Sequence, residues 1–223
     1  MARTLHYHPL SSYCHKVLIA LYELNLPFER QLHNPGDPAQ RDAFLARWPT
    51  GKIPLLVDGE RVVPETSIII EYLDRGHSRL LPQDIEACLA VRLWDRLFDL
   101  YVMAPVQAIV GDRLRAEGAR DPVGVTNAKH TLDMAYDLIE SRMGDRPWAA
   151  GAAFTLADCA AAPALFYAST LVPFPAGNTK LTAYFERLLQ RPSVARVLEE
   201  AKPFFQFYPY REALPARFLP GET

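Results

Sequence analysis

The chain has 223 residues, 49% of them apolar and 22% charged, enough to bury a core in one large domain or two modest ones. Its 24 Lys and Arg against 26 Asp and Glu give a formal charge of -2, with no basic cluster, which argues against nucleic acid or an anionic membrane surface as a main partner. Met1-Ala2-Arg3-Thr4 opens without a signal-peptide pattern, and no run reaches the ~20 apolar residues of a membrane span; the longest, Phe154 to Val172, is interrupted by Asp158 and Pro163.

In chain order, Thr4 to His8 is a strand. Tyr13, Val17, Ala20, Leu21 and Leu24 recur at helical spacing and predict a helix that Asn25 and Pro27 end. Phe28 to Leu32 is a second strand, followed by a Pro- and Gly-bearing loop over His33 to Pro38 and a helix over Arg41 to Trp48. Ile53 to Val57 reads as a strand, Asp58-Gly59 as a two-residue hairpin turn, Arg61 to Val63 as the return strand and Thr66 to Asp74 as a helix that Gly76 can cap. The order β-α-β-α-β-β-α needs a parallel crossover and then an antiparallel hairpin. It predicts a mixed four-stranded sheet with helices on both faces, a thioredoxin-like α/β domain over residues 1–76.

Residues 77–84 read as a linker, and residues 85–223 as an all-α domain. Its helices are expected over Ile85 to Val102, Val106 to Glu117, Thr126 to Met143, Thr155 to Ser169, Leu181 to Gln190 and Ser193 to Ala201, punctuated by Pro105, Gly144, Pro173 and Pro192. The tail beyond Pro203, with Phe204, Phe205, Phe207, Tyr208 and Tyr210, is too apolar to stand free in water and is expected to pack on the helices. Cys14, Cys88 and Cys159 are odd in number and far apart. They make no zinc spacing or disulfide framework and fit a reducing cytoplasm.

Three places can carry chemistry. Ser11-Ser12-Tyr13-Cys14 lies where a strand meets a helix start. Free N–H groups and the helix dipole stabilise a thiolate there, and a serine hydroxyl can donate to sulfur; the plainer reading is that the serines cap the helix. Lys52-Ile53-Pro54 opens a strand. A cis proline would leave the backbone of Ile53 free to pair with a peptide, whereas most X–Pro bonds are trans and Lys52 can be a solvated charge. Pro64-Glu65-Thr66-Ser67 opens a helix. Its N–H groups and hydroxyls suit a carboxylate and Glu65 suits an ammonium, together an amino-acid zwitterion; again the plainer reading is a cap with an acidic first turn.

With these three segments in this order, the chain resembles a cytosolic glutathione transferase of the serine-type, theta-, delta- or zeta-like kind. Tyr7 to Val17 is similar to the Ser-x-x-Cys-x-x-Val segment of that family. Pro49 to Gly59 is similar to its Asn-Pro-x-Gly-x-Val-Pro-x-Leu segment, and Pro64 to Leu73 to its Glu-Ser-x-Ala-Ile-x-x-Tyr-Leu segment. Phe154-Thr155-Leu156-Ala157-Asp158 resembles its capping box with a preceding apolar staple. The resemblance implies that Ser11 donates to the sulfur of glutathione, with Ser12 and Tyr7 as alternatives. It implies that Ile53 pairs with the cysteinyl unit beside a cis Pro54, that Glu65 and Thr66 grip the γ-glutamyl end, and that Lys52 reaches a carboxylate. It places the electrophile between the two domains, against Trp94, Phe98, Tyr101 and Arg113. It also implies a cytoplasmic homodimer with a detoxifying role, one subunit's first module against the other's helical domain. Glutathione serves as substrate and no metal is called for.

The leading activity is conjugation of the glutathione thiolate to small hydrophobic electrophiles. An isomerase or dehalogenase using glutathione without consuming it shares the same site. Cys14, three residues after Ser11, has the spacing of the second cysteine in a Cys-x-x-Cys motif, which admits thiol–disulfide exchange. With Ser11 in the nucleophile slot, though, Cys14 reads as buried on the helix face. A non-catalytic glutathione-binding protein is the remaining reading.

Overall fold

The computed structural model describes residues 3–34 and 36–219. Met1 and Ala2 of the opening segment, Pro35 of the first long loop and residues 220–223 lie outside the described residues. Strand β1 (Arg3–Tyr7) pairs in parallel with β2 (Glu29–Leu32) and antiparallel with β3 (Leu55–Asp58), which pairs antiparallel with β4 (Arg61–Val63). The sheet order is β2-β1-β3-β4, the mixed four-stranded arrangement expected from the crossover and the hairpin. Asp58 pairs with Arg61, so the turn is Gly59-Glu60 rather than Asp58-Gly59. Gly59 takes φ +62 at its first central position, a left-handed conformation that glycine adopts without the cost a side chain would carry.

Alternation along β1 divides the two faces of the sheet. Leu5 is buried among apolar side chains from helix α1 (Ser12–Glu23) and helix α3 (Thr66–Leu73). His6 points the other way, edge-on to Phe44 of helix α2 (Pro38–Arg47), with ring centroids 5.6 Å apart. Helix α2 starts earlier than its apolar pattern suggests, because Asp37 caps it by accepting the N–H groups of Ala39 and Gln40. Residues 74–84 are tied down: the Asp74 carboxylate accepts backbone N–H groups from Arg79, Leu80 and Leu81.

The helical part begins with α4 (Ile85–Leu97) and runs without a break through a π-helical turn (Phe98–Met103) into α5 (Ala104–Arg113). Pro105 was expected to separate two helices. It does not, because it falls in the first turn of α5, where a missing N–H is tolerated as the wider turn gives way to the ordinary one. Then come α6 (Pro122–Met143), α7 (Leu156–Leu171), α8 (Thr179–Gln190) and α9 (Pro192–Ala201), followed by short 3-10 turns. Every side chain of α7 from Leu156 to Ala168 is buried, and α7 packs directly on α1, so it is the common core of both halves. Its start is fixed by Thr155 and Asp158. The Asp158 carboxylate accepts from the N–H groups of Thr155 (2.8 Å) and Ala149 (2.9 Å) and from the Tyr184 hydroxyl (2.6 Å).

The aromatic tail packs back as its composition requires, through Phe205 stacked on Phe166 and Tyr208 hydrogen-bonded to Thr170, although Phe207 stays exposed. Among the described residues no helix is long and apolar enough to cross a membrane.

Candidate functional site

A cleft of about 540 Å³ runs between the first four strands' loops and the α4–α5 run. The sheet side of its wall carries Lys52, Ile53 and Pro54, whose peptide with Ile53 is cis, together with Pro64, Glu65 and Thr66. The helical side carries Asp95, Arg96, Asp99, Leu100 and Ala104. Five residues singled out in the sequence therefore meet in one cavity, although Lys52 and Glu65 are 13 positions apart. Ser11 is not itself part of that wall. It is the N-cap of α1, two residues before Tyr13, which does line the cleft.

The start of α3 has no side-chain cap, a property it shares with α5, α8 and α9, but of these starts α3 opens with its first three residues, Thr66, Ser67 and Ile68, in the cleft wall. Ser11, Asp37, Asp84, Asp121 and Thr155 each cap their helix with a side-chain oxygen. Glu65 precedes α3 but no side chain caps that helix, which leaves its first N–H groups without a side-chain acceptor beside the cleft, next to Glu65. Glu65 holds φ +66 and ψ 121, a backbone state that costs a non-glycine residue ~1–3 kcal/mol.

Beneath this wall lies a buried ionic cluster joining α1, α3 and α4. Lys16, 1% exposed, has its Nζ 2.6 Å from Asp95 Oδ1 and 2.8 Å from Asp99 Oδ2, and donates to Ser67 Oγ at 3.1 Å. The contact with Asp95 Oδ1 is off the hydrogen-bonding direction, so charge alone holds it. Ser67 passes its own hydrogen to Asp95 Oδ2 at 2.7 Å, and Arg96 closes the cluster on both aspartates and Ser67. Two cations, buried Lys16 and half-exposed Arg96, face two carboxylates, which is what lets Lys16, Asp95 and Asp99 sit so deep. Burial pushes the Asp99 carboxyl up, against the pull of Lys16. Burial, with Asp99 nearby, pushes the Tyr13 hydroxyl up to about 12.

The candidate sulfur-holding groups differ in what their atoms are already doing. Ser11 Oγ accepts from the Cys14 N–H at 3.3 Å, which leaves the hydroxyl hydrogen for another acceptor. Ser12 is 3% exposed, and its Oγ accepts from Gln107 Nε2 at 3.3 Å across the domain junction. Tyr7 faces away from the cleft, into a separate cavity of about 220 Å³ with Arg30 and Glu200. Cys14 is fully buried and burial pushes its thiol up to about 12, the opposite of what a reactive thiol needs.

The four residues expected around an electrophile are not in the cleft wall. Trp94 and Phe98 are core residues, stacked on each other at 5.7 Å. Tyr101 is partly exposed beside the cleft residue Leu100 but does not line it. Arg113 pairs with Glu212 at 2.7 Å and lies over the Tyr210 ring at 4.2 Å, pinning the tail. Trp94, Phe98 and Val102 share one helix face at four-residue spacing, and that face is buried in the core; the adjoining face, with Asp95, Arg96, Asp99, Leu100 and Ala104, meets the cleft. Arg96, Leu100 and Ala104 were not singled out, because the aromatic stripe points to the adjoining face and Arg96 draws its meaning from distant partners; Ser67, whose hydroxyl was expected to serve a carboxylate ligand, instead donates to Asp95.

The chain matches the model of the glutathione S-transferase N-terminal domain over residues 5–80 and that of the C-terminal domain over residues 122–187. FtsZ-localized protein A of Caulobacter vibrioides is 31% identical over 215 residues, covering 90% of this chain and 92% of that one. Glutathione S-transferase F13 of Arabidopsis thaliana is 26% identical over 209 residues, covering 88% and 95%. Among solved structures, a glutathione S-transferase of Methylobacterium radiotolerans in complex with glutathione sulfonate is 31% identical and superposes with a TM-score of 0.77 over 88% of this chain and 94% of that one.

Proposed function

The chain belongs to the glutathione S-transferase superfamily, and from that premise we propose that its cleft holds glutathione and that it transfers the glutathione sulfur to small hydrophobic electrophiles. The observation that carries this reading is the uncapped start of α3, with Glu65 and Thr66 beside it, in one cavity with Ile53 and Lys52. The γ-glutamyl carboxylate takes the α3 N–H groups and the Thr66 hydroxyl, and its ammonium takes Glu65. The backbone of Ile53 pairs with the cysteinyl unit, and Lys52 reaches the far carboxylate. That leaves the sulfur near the start of α1, where the free hydroxyl hydrogen of Ser11 and the helix dipole favour the thiolate, making this a serine-type enzyme. The thiolate makes the new bond to carbon. The protein contributes a lowered thiol pKa and proximity. Leu100 and Ala104 offer the electrophile an apolar wall.

Ser11→Ala tests the assignment. Bound glutathione should lose much of its ultraviolet thiolate band, and conjugation of chlorodinitrobenzene should slow. An unchanged band and rate would remove Ser11 from the mechanism. Use of glutathione as a cofactor, in isomerisation or dehalogenation, would show as turnover without loss of free thiol. A second reading, a non-catalytic binding protein, is suggested by the 31% identical relative, which is named for its localisation with FtsZ. Glutathione binding with no turnover across halides, epoxides and enones would establish it.

The protein also fits a homodimer. Ile85, Leu89 and Leu93 recur every four residues on α4 as an exposed apolar stripe, a face that a second copy can cover. Three unpaired cysteines and a thiol substrate fit a reducing cytoplasm, where removal of toxic electrophiles is the role that such an activity serves.

A further inference from the structure

In the turn that delivers Ser11 to the start of α1, the two carbonyls immediately before the serine are each held by a side chain. His15 lies one turn into α1, and its Nε2 is 2.5 Å from the Pro9 carbonyl oxygen. A carbonyl only accepts, so Nε2 carries the hydrogen. Burial pushes the imidazole down to about 4, which keeps it neutral with that single N–H. The next carbonyl, of Leu10, accepts the hydroxyl hydrogen of Tyr167 at 3.0 Å. Tyr167 comes from α7, is buried, and packs its ring against His15 with centroids 5.7 Å apart. The Leu10 carbonyl and the Ser11 N–H belong to one planar peptide unit. Tyr167 holds one edge of that plane, and the His8 carbonyl, accepting from Ser11 N at 3.0 Å, holds the other. A plane gripped at both edges leaves the Cα–Cβ direction of Ser11 little freedom.

We propose that Tyr167 and His15 are positioning residues for the glutathione sulfur: by holding the Leu10 and Pro9 carbonyls they aim the Ser11 hydroxyl. The inference rests on Ser11 being the sulfur-holding group. It gives the helical domain a part in activating the thiol, separate from binding the electrophile, because α7 rather than the thioredoxin-like domain supplies the decisive hydroxyl. A merely structural tyrosine would satisfy its hydroxyl anywhere in the core and would leave the chemistry at Ser11 untouched.

The experiment compares Ser11→Ala, Tyr167→Phe and the double variant in the full-length protein. It measures the pKa of bound glutathione from its ultraviolet thiolate band, kcat and glutathione KM with chlorodinitrobenzene, and thermal stability. Tyr167→Phe removes one oxygen and keeps the ring. It should raise the bound thiol pKa by roughly half a unit or more, about a threefold loss of thiolate at neutral pH, and lower kcat in step while glutathione KM stays within about twofold. In the Ser11→Ala background the same change should shift the thiol pKa no further. A wild-type thiol pKa in Tyr167→Phe, with Ser11→Ala raised, overturns the inference and leaves the Ser11 reading intact; an additive shift in the double variant also overturns it. An unchanged Ser11→Ala overturns both. Should Tyr167→Phe fail to fold, His15→Gln, which keeps an N–H donor, should hold the wild-type pKa while His15→Leu raises it; equal values in the two would refute the proposal.

Discussion

Lys16→Met isolates the buried ionic cluster, since methionine has nearly the length of lysine and leaves no large cavity. It removes the ammonium that lies 2.6 Å from Asp95 and 2.8 Å from Asp99, carboxylates only 2% and 8% exposed. Arg96 remains, but its guanidinium is about half exposed and cannot match a buried charge. Breaking a buried pair by deleting one partner costs about 3–5 kcal/mol, most of it the penalty of the charge left behind. That is a large share of the ~5–15 kcal/mol that holds a domain folded. Urea unfolding followed by tryptophan fluorescence reads it directly, because Trp94 adjoins Asp95 on α4. The loss should depend on pH. Burial already raises the Asp99 carboxyl, and without Lys16 it takes a proton still more readily in the folded state. A folded state that binds extra protons loses stability as pH rises, so the deficit against wild type should be larger at about pH 8 than at about pH 5. Asp99→Asn in the Lys16→Met background should recover part of it. A deficit below about 1 kcal/mol, or one equal at both pH values, would refute the picture of a charge-balanced cluster.

Glu65→Gly should uncouple binding from stability: glycine accepts φ +66, so the fold should gain about 1 kcal/mol in denaturant titration while glutathione KM rises about tenfold or more through loss of a charged partner. A destabilised variant with unchanged KM would show that Glu65 is structural. His15, ordinarily near 6.5 and pushed down to about 4 by burial despite its bond to Pro9 and the charge of Glu200, contributes stability that is present above 6.5 and lost as pH falls toward 4. That stretch is worth on the order of 3 kcal/mol, and His15→Gln should flatten the stability profile between those limits; an unchanged slope would mean that His15 titrates normally. Leu89→Arg should split a dimer into monomers in analytical ultracentrifugation, and a wild-type sedimentation coefficient would put the interface elsewhere.

The first part of the fold could be read from pattern because its signals are local. Apolar spacing, the turn signal around Gly59, read one residue early, and the Thr66 helix start each concern a few neighbouring residues, and the sheet order follows from them. What stayed hidden depends on partners far along the chain. Lys16 looks like a surface charge until Asp95 and Asp99 appear 79 and 83 positions later, and Tyr167 gains its meaning from a carbonyl 157 positions earlier. The electrophile wall was misread for a geometric reason. Periodicity at 3.6 residues correctly carries Trp94 and Phe98 to one face, but that face is the core; the cleft takes the adjoining face of Asp95, Asp99 and Leu100, and spacing alone does not say which of two adjoining faces meets a cavity. Pro105 misled in the same place, marking a break where the helix continues.

A crystal structure with glutathione bound is the most direct measurement. The peptide should lie along Lys52, Ile53, Glu65 and Thr66, with its γ-glutamyl carboxylate on the N–H groups that open α3 and its sulfur within about 3.5 Å of Ser11 Oγ. A sulfur against Ser12, Tyr7 or Cys14, or a peptide bound outside the cleft, would contradict the assignment.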